Sequence, residues 1–169
     1  MIDSQKIQIL GFPQEQYYTC GCATFRTVLN SLGLDDVDEA KLEEMLGTTH
    51  LSGTHYTSMV DIAPKFGLKV QSGTQGSLEM LDGLIEDGWV VIICHSISGP
   101  HYSVYMGSNG KHLFIYDPNV DKKVGYPINK FVRSQWKVDI SQHKFIIAEW
   151  GLKLDESHNS DKWWVAYKK

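Results

Sequence analysis

The spacing of apolar residues changes about halfway along the chain, and this change constrains the fold more than any other feature. In the first half, apolar side chains recur three and four residues apart, as on one face of a helix. The second half contains short runs of alternating or continuous apolar residues, which are typical of strands. Helices followed by antiparallel strands predict an α+β domain in which N-terminal helices pack on a C-terminal sheet.

The expected elements follow from this spacing and from the breaking residues between them. We expect helices at residues 20–32, at 38–46, from 57 or 58 onwards, and at 77–86. Pro64 conflicts with a regular third helix, so a kink or an early break is expected there. We expect strands at residues 89–97, 102–106, 113–116, 144–150 and 163–167, the last of them at an edge of the sheet.

Composition and charge exclude several classes of function. The 169 residues fit one domain spanning residues 1–169, and 42% hydrophobic with 21% charged residues is an ordinary globular mixture. A net charge of −4 offers no basic surface for nucleic acid. The longest apolar run, residues 89–94, is too short to span a bilayer, and the first ten residues lack the apolar run of a signal peptide. We therefore expect a cytoplasmic protein without nucleic-acid or membrane partners.

The three cysteines are an odd number, which argues against a disulfide framework and leaves at least one free thiol. Cys20 lies at the predicted start of the first helix, where free N–H groups and the helix dipole favour a nucleophilic thiolate. Its neighbour Gly21 would let a substrate backbone come close. The alternative is that Cys20 is a small buried residue. Cys22 and Cys94 are expected in the core, and a zinc site using Cys20 and Cys22 is a rival with a weak signal, because no second close pair exists.

Among the seven histidines, His101 is the candidate general base, because it opens a predicted strand directly after a loop. Such a position holds a side chain rigidly and lets it reach a cleft. His50 and His55 flank a loop that could line the cleft, but nothing places them against the cysteine. Three further histidines lie in polar segments or near a hairpin tip and are expected to be solvated: His112, His143 and His158.

Asp117 is the candidate group that would orient His101. Asn109-Gly110 predicts a hairpin between the two flanking strands. A two-residue loop made of Asn109 and Gly110 would put His101 and Asp117 on opposite faces of the sheet. A three-residue loop with Gly110 in the left-handed conformation would place His101 directly opposite Asp117, so the catalytic interpretation requires that loop. The alternative is that Asp117, in the sequence Asp-Pro-Asn, only opens a turn.

Gln14 lies six residues before Cys20, on the loop that leads into the first helix. Its side-chain amide could donate to an oxyanion together with the backbone N–H of Cys20. One such donor is typically worth about 10²–10³ in rate. Taken alone, Gln14 is an ordinary loop glutamine.

Four short motifs occur in an order that resembles a known family. They are Gln-x5-Cys-Gly at residues 14–21, Gly-Thr at 53–54, His-Tyr-x-Val-x-x-Gly at 101–107 and Asp-Pro at 117–118. This order resembles the papain-like cysteine peptidases that process bacteriocin leaders after a double glycine. The resemblance covers about residues 14–119. In that family the domain often precedes a membrane transporter. No transporter sequence follows in these 169 residues, so we expect a free-standing member.

The resemblance implies a papain-like cysteine peptidase fold and a role for each matching residue. Gln14 would be the oxyanion donor, Cys20 the nucleophile, His101 the general base and acid, and Asp117 the residue that orients the base. The substrate would be a peptide or amide, cleaved through a Cys20 thioester after small residues. The resemblance implies no cofactor and no metal.

Two alternatives to a peptidase remain open at this point. The same triad could pass the acyl group to an amine instead of water, which would make the protein an acyltransferase or amide-forming enzyme. A non-catalytic module could also keep the fold to bind a peptide, although a pure binder has no need of a thiolate. The resemblance does not explain the tail from about residue 121, whose tryptophans could serve as core or as a partner surface: Trp136, Trp150, Trp163 and Trp164.

Overall fold

A computed structural model describes residues 6–97, 99–139 and 159–169. The helices are α1 (Cys20–Ser31), α2 (Glu39–Leu46), α3 (Tyr56–Asp61), α4 (Leu78–Glu86) and α5 (Ile128–Lys130). A 3₁₀ turn (Ala63–Phe66) follows α3, and a π-helical turn (Phe131–Gln135) follows α5. The strands are β1 (Lys69–Gly73), β2 (Val90–His95), β3 (His101–Ser108), β4 (His112–Asp117), β5 (Lys122–Pro127), β6 (Lys137–Val138), β7 (Ser160–Asp161) and β8 (Trp164–Lys168).

Six strands form one antiparallel sheet in the order β1-β8-β2-β3-β4-β5, while β6 and β7 pair separately. Helices cover both faces of this sheet. An apolar cluster that includes Phe25 of α1 and Val104 of β3 fills one side, and a second cluster with Leu81 of α4 and Tyr105 of β3 fills the other. Strand β2 is buried along its whole length, which explains its continuous apolar run. The predicted α+β class is confirmed.

Helices α1 to α4 form close to where the apolar spacing predicts, whereas α5 was not predicted. Asp38 caps α2 by accepting the Lys41 N–H at 2.8 Å, and Ser77 caps α4 in the same way. The third helix ends at Asp61 and gives way to the 3₁₀ turn that contains Pro64, so the predicted break is confirmed. Within the described ranges, no helix is both long and apolar enough to cross a bilayer.

Two strands of the sheet are absent from the sequence prediction. Strands β1 and β5 lie at the two edges, and most of their residues are exposed, so neither carries an apolar pattern. Because β1 lies between helices, the predicted order of helices first and strands second is only approximate. The edge position predicted for the last strand is wrong: β8 lies between β1 and β2, and four of its five residues are buried. The strand predicted at residues 144–150 lies outside the described residues.

The C-terminal tryptophans serve the core. Trp136, Trp163 and Trp164 are buried, and the Trp136 Nε1–H donates to the Trp163 carbonyl at 3.0 Å. This hydrogen bond joins the segment after the π-helical turn to the start of β8. Core packing, rather than a partner surface, therefore accounts for these three residues. Trp150 lies outside the described residues.

Candidate active site

Cys20 is the first residue of α1, at the helix end whose backbone N–H groups have no intrahelical partner. The preceding residue, Thr19, does not cap the helix with its side chain. Its hydroxyl instead donates to the Gln16 carbonyl and accepts the Gln16 N–H, both at 3.0 Å. The Gly21 N–H in the first turn lowers the pKa of the Cys20 thiol. The uncapped helix end therefore favours the thiolate form of Cys20.

The loop before Cys20 is fixed to the first two helices. The Phe12 N–H donates to Thr27 Oγ1 of α1 at 2.9 Å, and the Glu15 N–H donates to Oε1 of Glu39 in α2 at 2.9 Å. Glu39 is buried, and burial raises the pKa of its carboxyl group. These contacts hold the loop in one position beside the thiol.

Gln14 lies on this loop, next to the end of β4. Its backbone N–H donates to the Pro118 carbonyl at 3.0 Å. Its side-chain Nε2 donates to the Gln16 carbonyl at 2.8 Å, which leaves one amide hydrogen for another acceptor. Its Oε1 is buried and has no hydrogen-bond partner within the part of the chain that the structure describes. The structure thus places Gln14 beside the Asp117-Pro118 corner.

His101 and Asp117 are in direct contact. The His101 Nε2 lies 2.7 Å from Asp117 Oδ1, and the two side chains are 16% and 12% exposed. The same carboxylate oxygen accepts the Asn119 N–H at 2.9 Å. Asp117 therefore both opens a turn and contacts the imidazole. Because Nε2 faces Asp117, Nδ1 is the nitrogen left for Cys20, with which His101 interacts electrostatically. Cys20, His101 and Asp117 therefore lie together in the structure.

The electrostatics of the three side chains favour an ion pair. Burial raises the pKa of the Cys20 thiol, but the charge and hydrogen bond of His101 and the Tyr102 N–H outweigh it, so that pKa lies below its ordinary value. Burial lowers the pKa of His101, but Cys20 and Asp117 raise it above its ordinary value. For Asp117, burial raises the pKa, and the hydrogen bond from His101 lowers it below the usual range. These directions favour a thiolate beside an imidazolium, with the Asp117 carboxylate next to the imidazolium.

The hairpin between β3 and β4 closes with a loop that differs from both predicted loops. The Asn109 N–H donates to the His112 carbonyl at 3.0 Å, so the loop consists of the two residues between them. Gly110 has a φ of 82°, which is the left-handed conformation expected of it. The predicted three-residue loop, and with it the direct pairing of His101 with Asp117, is wrong.

A β-bulge at Met106 brings the two side chains to the same face in another way. The pairs are Ser108–Leu113 and Gly107–Phe114 next to the turn, and Tyr105–Ile115 and Val104–Tyr116 beyond the bulge. Because side chains alternate between faces, the register next to the turn would put Asp117 on the opposite face from His101. The extra residue shifts the register by one, so the two side chains become diagonal neighbours on one face.

Gly21 is required by packing inside the protein. A Cβ at this position would lie 2.5 Å from Thr54 Oγ1. Thr54 is held in turn by Thr48, since their hydroxyl oxygens are 2.6 Å apart, and Cys22 Sγ donates to Thr48 Oγ1 at 3.3 Å. Helix α1 therefore packs so closely on the loop at residues 48–54 that only glycine fits. This contact, which the sequence analysis did not anticipate, explains Gly21 without reference to a substrate.

The remaining cysteines lie in the core, as predicted. Burial raises the pKa of both Cys22 and Cys94 to about 12, so neither is an activated thiol. The described residues contain no group of three His, Cys, Asp or Glu side chains gathered for a metal ion. His50 and His112 are exposed, whereas His143 and His158 lie outside the described residues.

His95 is a candidate functional residue that the sequence analysis did not single out. It ends β2 directly opposite His101, is 1% exposed, and its ring centroid lies 5.4 Å from that of His101 at an interplanar angle of 73°. Its position at the end of an apolar run made it look like an ordinary core residue. The short return between β2 and β3 is the signal that could have revealed the pairing.

Comparison with solved structures gives three similar chains. A double glycine motif protease from an AMS/PCAT transporter, in complex with the leader peptide, has a TM-score of 0.65 and 18% identity, covering 96% of this chain and 92% of that one. The peptidase domain of Streptococcus ComA gives 0.62 and 25%, covering 76% and 93%. A C39-like peptidase from Bacillus anthracis gives 0.67 and 17%, covering 96% and 95%.

Comparison with sequence families extends the match beyond the residues that carry the predicted motifs. No curated protein matches the chain. The model of the Peptidase C39 family matches residues 11–140, a longer stretch than the predicted 14–119. It includes the thiol-bearing helix, the β3–β4 hairpin and the π-helical turn. The chain therefore belongs to the Peptidase C39 family and has the papain-like α+β fold of the double-glycine leader peptidase domains.

Proposed function

We propose that this protein is a cysteine peptidase that hydrolyses a peptide bond through a Cys20 thioester, with His101 and Asp117 completing the triad. The observation that carries the proposal is the 2.7 Å contact between His101 Nε2 and Asp117 Oδ1, which leaves Nδ1 for the thiol. Membership of the Peptidase C39 family supports the same chemistry. One structural neighbour is a double glycine motif protease in complex with the leader peptide, which supports a peptide substrate cleaved after small residues.

The first half of the reaction forms the thioester. The Cys20 thiolate attacks the scissile carbonyl carbon, and the carbonyl oxygen becomes an oxyanion. The Cys20 N–H at the helix start and the remaining amide hydrogen of Gln14 stabilise this oxyanion. His101, which is protonated in the ion pair, donates its proton to the leaving amine as the carbon–nitrogen bond breaks. The amine product departs, and the acyl group stays on the sulfur.

The second half releases the acid. His101, now neutral, takes a proton from a water molecule, which attacks the thioester carbonyl. The carbon–sulfur bond breaks, the acid departs, and the Cys20 thiolate and protonated His101 are restored. Asp117 keeps the imidazole in the orientation that both steps need, and its negative charge stabilises the imidazolium.

The proposal is tested with synthetic peptides that carry Gly-Gly, Gly-Ala or Leu-Leu before the bond, with products identified by mass spectrometry. We expect cleavage after the small residues and loss of cleavage in Cys20→Ala. The matched control Cys22→Ala alters a buried thiol outside the site and should keep the activity. A normal rate in Cys20→Ala would contradict the proposal.

The same assay separates hydrolysis from acyl transfer. Hydrolysis gives the free acid whether or not an amine is present, because water is the acceptor. Adding glycinamide would yield an amide product if the thioester were passed to amines in preference to water. If the amide is the main product at millimolar glycinamide, the protein is an acyltransferase with the same triad and the peptidase proposal is wrong.

A further inference from the structure

His95 is packed against the candidate triad and takes no part in the steps above. Its ring meets the His101 ring nearly at a right angle, an arrangement that favours edge-to-face contact between aromatic rings. On its other side, the Phe131 ring lies 5.7 Å from it, centroid to centroid. His95 therefore lies between the core and the imidazole of the candidate base.

The hydrogen bonds of His95 define its protonation. The Ile97 N–H donates to His95 Nδ1 at 3.4 Å, so Nδ1 is an acceptor and the ring proton is on Nε2. His95 Nε2 lies 2.9 Å from Ser103 Oγ and donates to it. A ring that accepts through one nitrogen and donates through the other is neutral. The ionisable groups that face it are His101 from β3 and Asp117 from β4, and burial together with the His101 charge lowers the pKa of His95 to about 3.

The π-helical turn supports the residue from behind. In this turn, which carries Phe131, the Gln135 carbonyl accepts the Ser96 N–H at 2.9 Å. Ser96 follows His95 directly, so the turn holds both the backbone after β2 and the ring of His95. Single π-helical turns of this kind are frequent at functional sites.

We propose that His95 is a positioning residue for His101: held neutral between Phe131 and Ser103, its ring keeps the His101 imidazole in the orientation that joins Asp117 to Cys20. Removing the ring would leave space into which the imidazole could turn. The contact between His101 and the thiol would then weaken, and the thiolate would lose the charge that stabilises it. A positive charge on His95 would have the same effect through repulsion, so the neutral state is part of the role.

This inference rests on the proposed function and is tested on the full chain by the pH profile of Cys20 alkylation with iodoacetamide, followed by peptide mass mapping. In His95→Ala we expect the profile to move by one pH unit or more towards the free-thiol value of about 8.5, which lowers the rate near pH 6 about tenfold. His95→Phe, which keeps a ring, should recover most of this loss. The exposed His112→Ala is the matched control and should coincide with the wild type.

The outcomes separate the two proposals. A folded His95→Ala whose alkylation profile coincides with that of the wild type would overturn the role of His95 alone. The same holds if the His95→Phe profile is shifted as far as that of His95→Ala. A wild-type profile that follows free-thiol titration would overturn the proposed function itself. If circular dichroism shows that His95→Ala does not fold, Ser103→Ala is used instead, because it removes the acceptor of the His95 Nε2 proton. It is expected to shift the profile in the same direction by a smaller amount, and no shift would overturn the inference.

Discussion

His101 and Asp117 meet at 2.7 Å across a strand pair whose register shifts by one residue at Met106. The contact is diagonal, and it depends on a distortion in the middle of the hairpin rather than on the turn at its end. Next to this bulge, Gly107 has a φ of 108°, a conformation that residues with a side chain rarely adopt. The geometry of the candidate site is therefore built into the backbone of β3.

Replacing Asp117 by Asn should keep the fold and weaken the candidate base. The amide carries no charge to stabilise the imidazolium, so we expect turnover to fall by about 10²–10⁴-fold. The matched control is Asp82→Asn, because Asp82 accepts hydrogen bonds from Tyr105 and Ser108, both at 2.7 Å, away from the site. Steady-state kinetics on a cleaved peptide measures both variants. Equal losses would mean that Asp117 acts only on stability.

Gly107→Ala should destabilise the protein by about 1–3 kcal/mol, because alanine is strained at this φ. Gly83→Ala is the control: Gly83 lies in α4, where an added Cβ meets nothing within 4 Å, so alanine should stabilise by about 0.5–1 kcal/mol. Urea unfolding followed by circular dichroism gives both free energies. A Gly107→Ala variant as stable as the wild type would show that the bulge does not need glycine at this position.

Gln14→Ala should reduce kcat by about 10²–10³-fold while leaving the reactivity of Cys20 towards iodoacetamide unchanged. The reason is that the Gln14 amide acts on the oxyanion, which forms only when a carbonyl is attacked. Gln71→Ala, in the exposed edge strand β1, is the control and should keep full activity. If Gln14→Ala changes alkylation and turnover to the same extent, the residue supports the thiolate rather than the oxyanion.

The stability of the protein should depend on pH through His95. Burial lowers the pKa of His95 to about 3, whereas an unfolded histidine titrates near about 6.5. Between these values the unfolded state binds a proton that the native state does not bind. The free energy of unfolding therefore rises with pH by up to about 1.4 kcal/mol per unit in this window, and the contribution is lost as the pH falls.

The pH dependence is checked by urea unfolding between pH 4.5 and 6. His95→Phe has no titrating group at this position, so its free energy of unfolding should rise less steeply with pH than that of the wild type. His112→Ala, which changes an exposed histidine at the hairpin, should keep the wild-type slope. Parallel lines for the wild type and His95→Phe would contradict a buried neutral His95.

The parts of the structure that depend on regular spacing could be predicted from the sequence. Helix α1 follows from its apolar repeat and from Gly33 after it, and the order of motifs along the chain led to Cys20, His101 and Asp117. Their proximity in the structure agrees with that order. The starts of α1 and β3 could be located in the sequence because each follows a loop and opens a run with regular apolar spacing.

The parts that depend on irregular backbone could not be predicted. A bulge adds one residue to one strand and has no periodic signature. The sequence analysis therefore placed His101 and Asp117 on one face by means of a three-residue loop, whereas the bulge at Met106 does so in the structure. Edge strands β1 and β5 bury too little to show an apolar pattern. His95 was missed because a histidine at the end of an apolar run resembles an ordinary core residue. Only the strand pairing shows that it lies opposite His101.

The central claim is that Cys20 is a thiolate paired with protonated His101, and alkylation of Cys20 by iodoacetamide as a function of pH tests it most directly. Cys22 and Cys94 are buried with raised pKa values, so they serve as internal controls that should stay unlabelled in the native protein. We expect fast labelling of Cys20 that persists well below the ordinary thiol pKa of about 8.5 and is lost in His101→Ala. Slow labelling that follows free-thiol titration in both proteins would contradict the account.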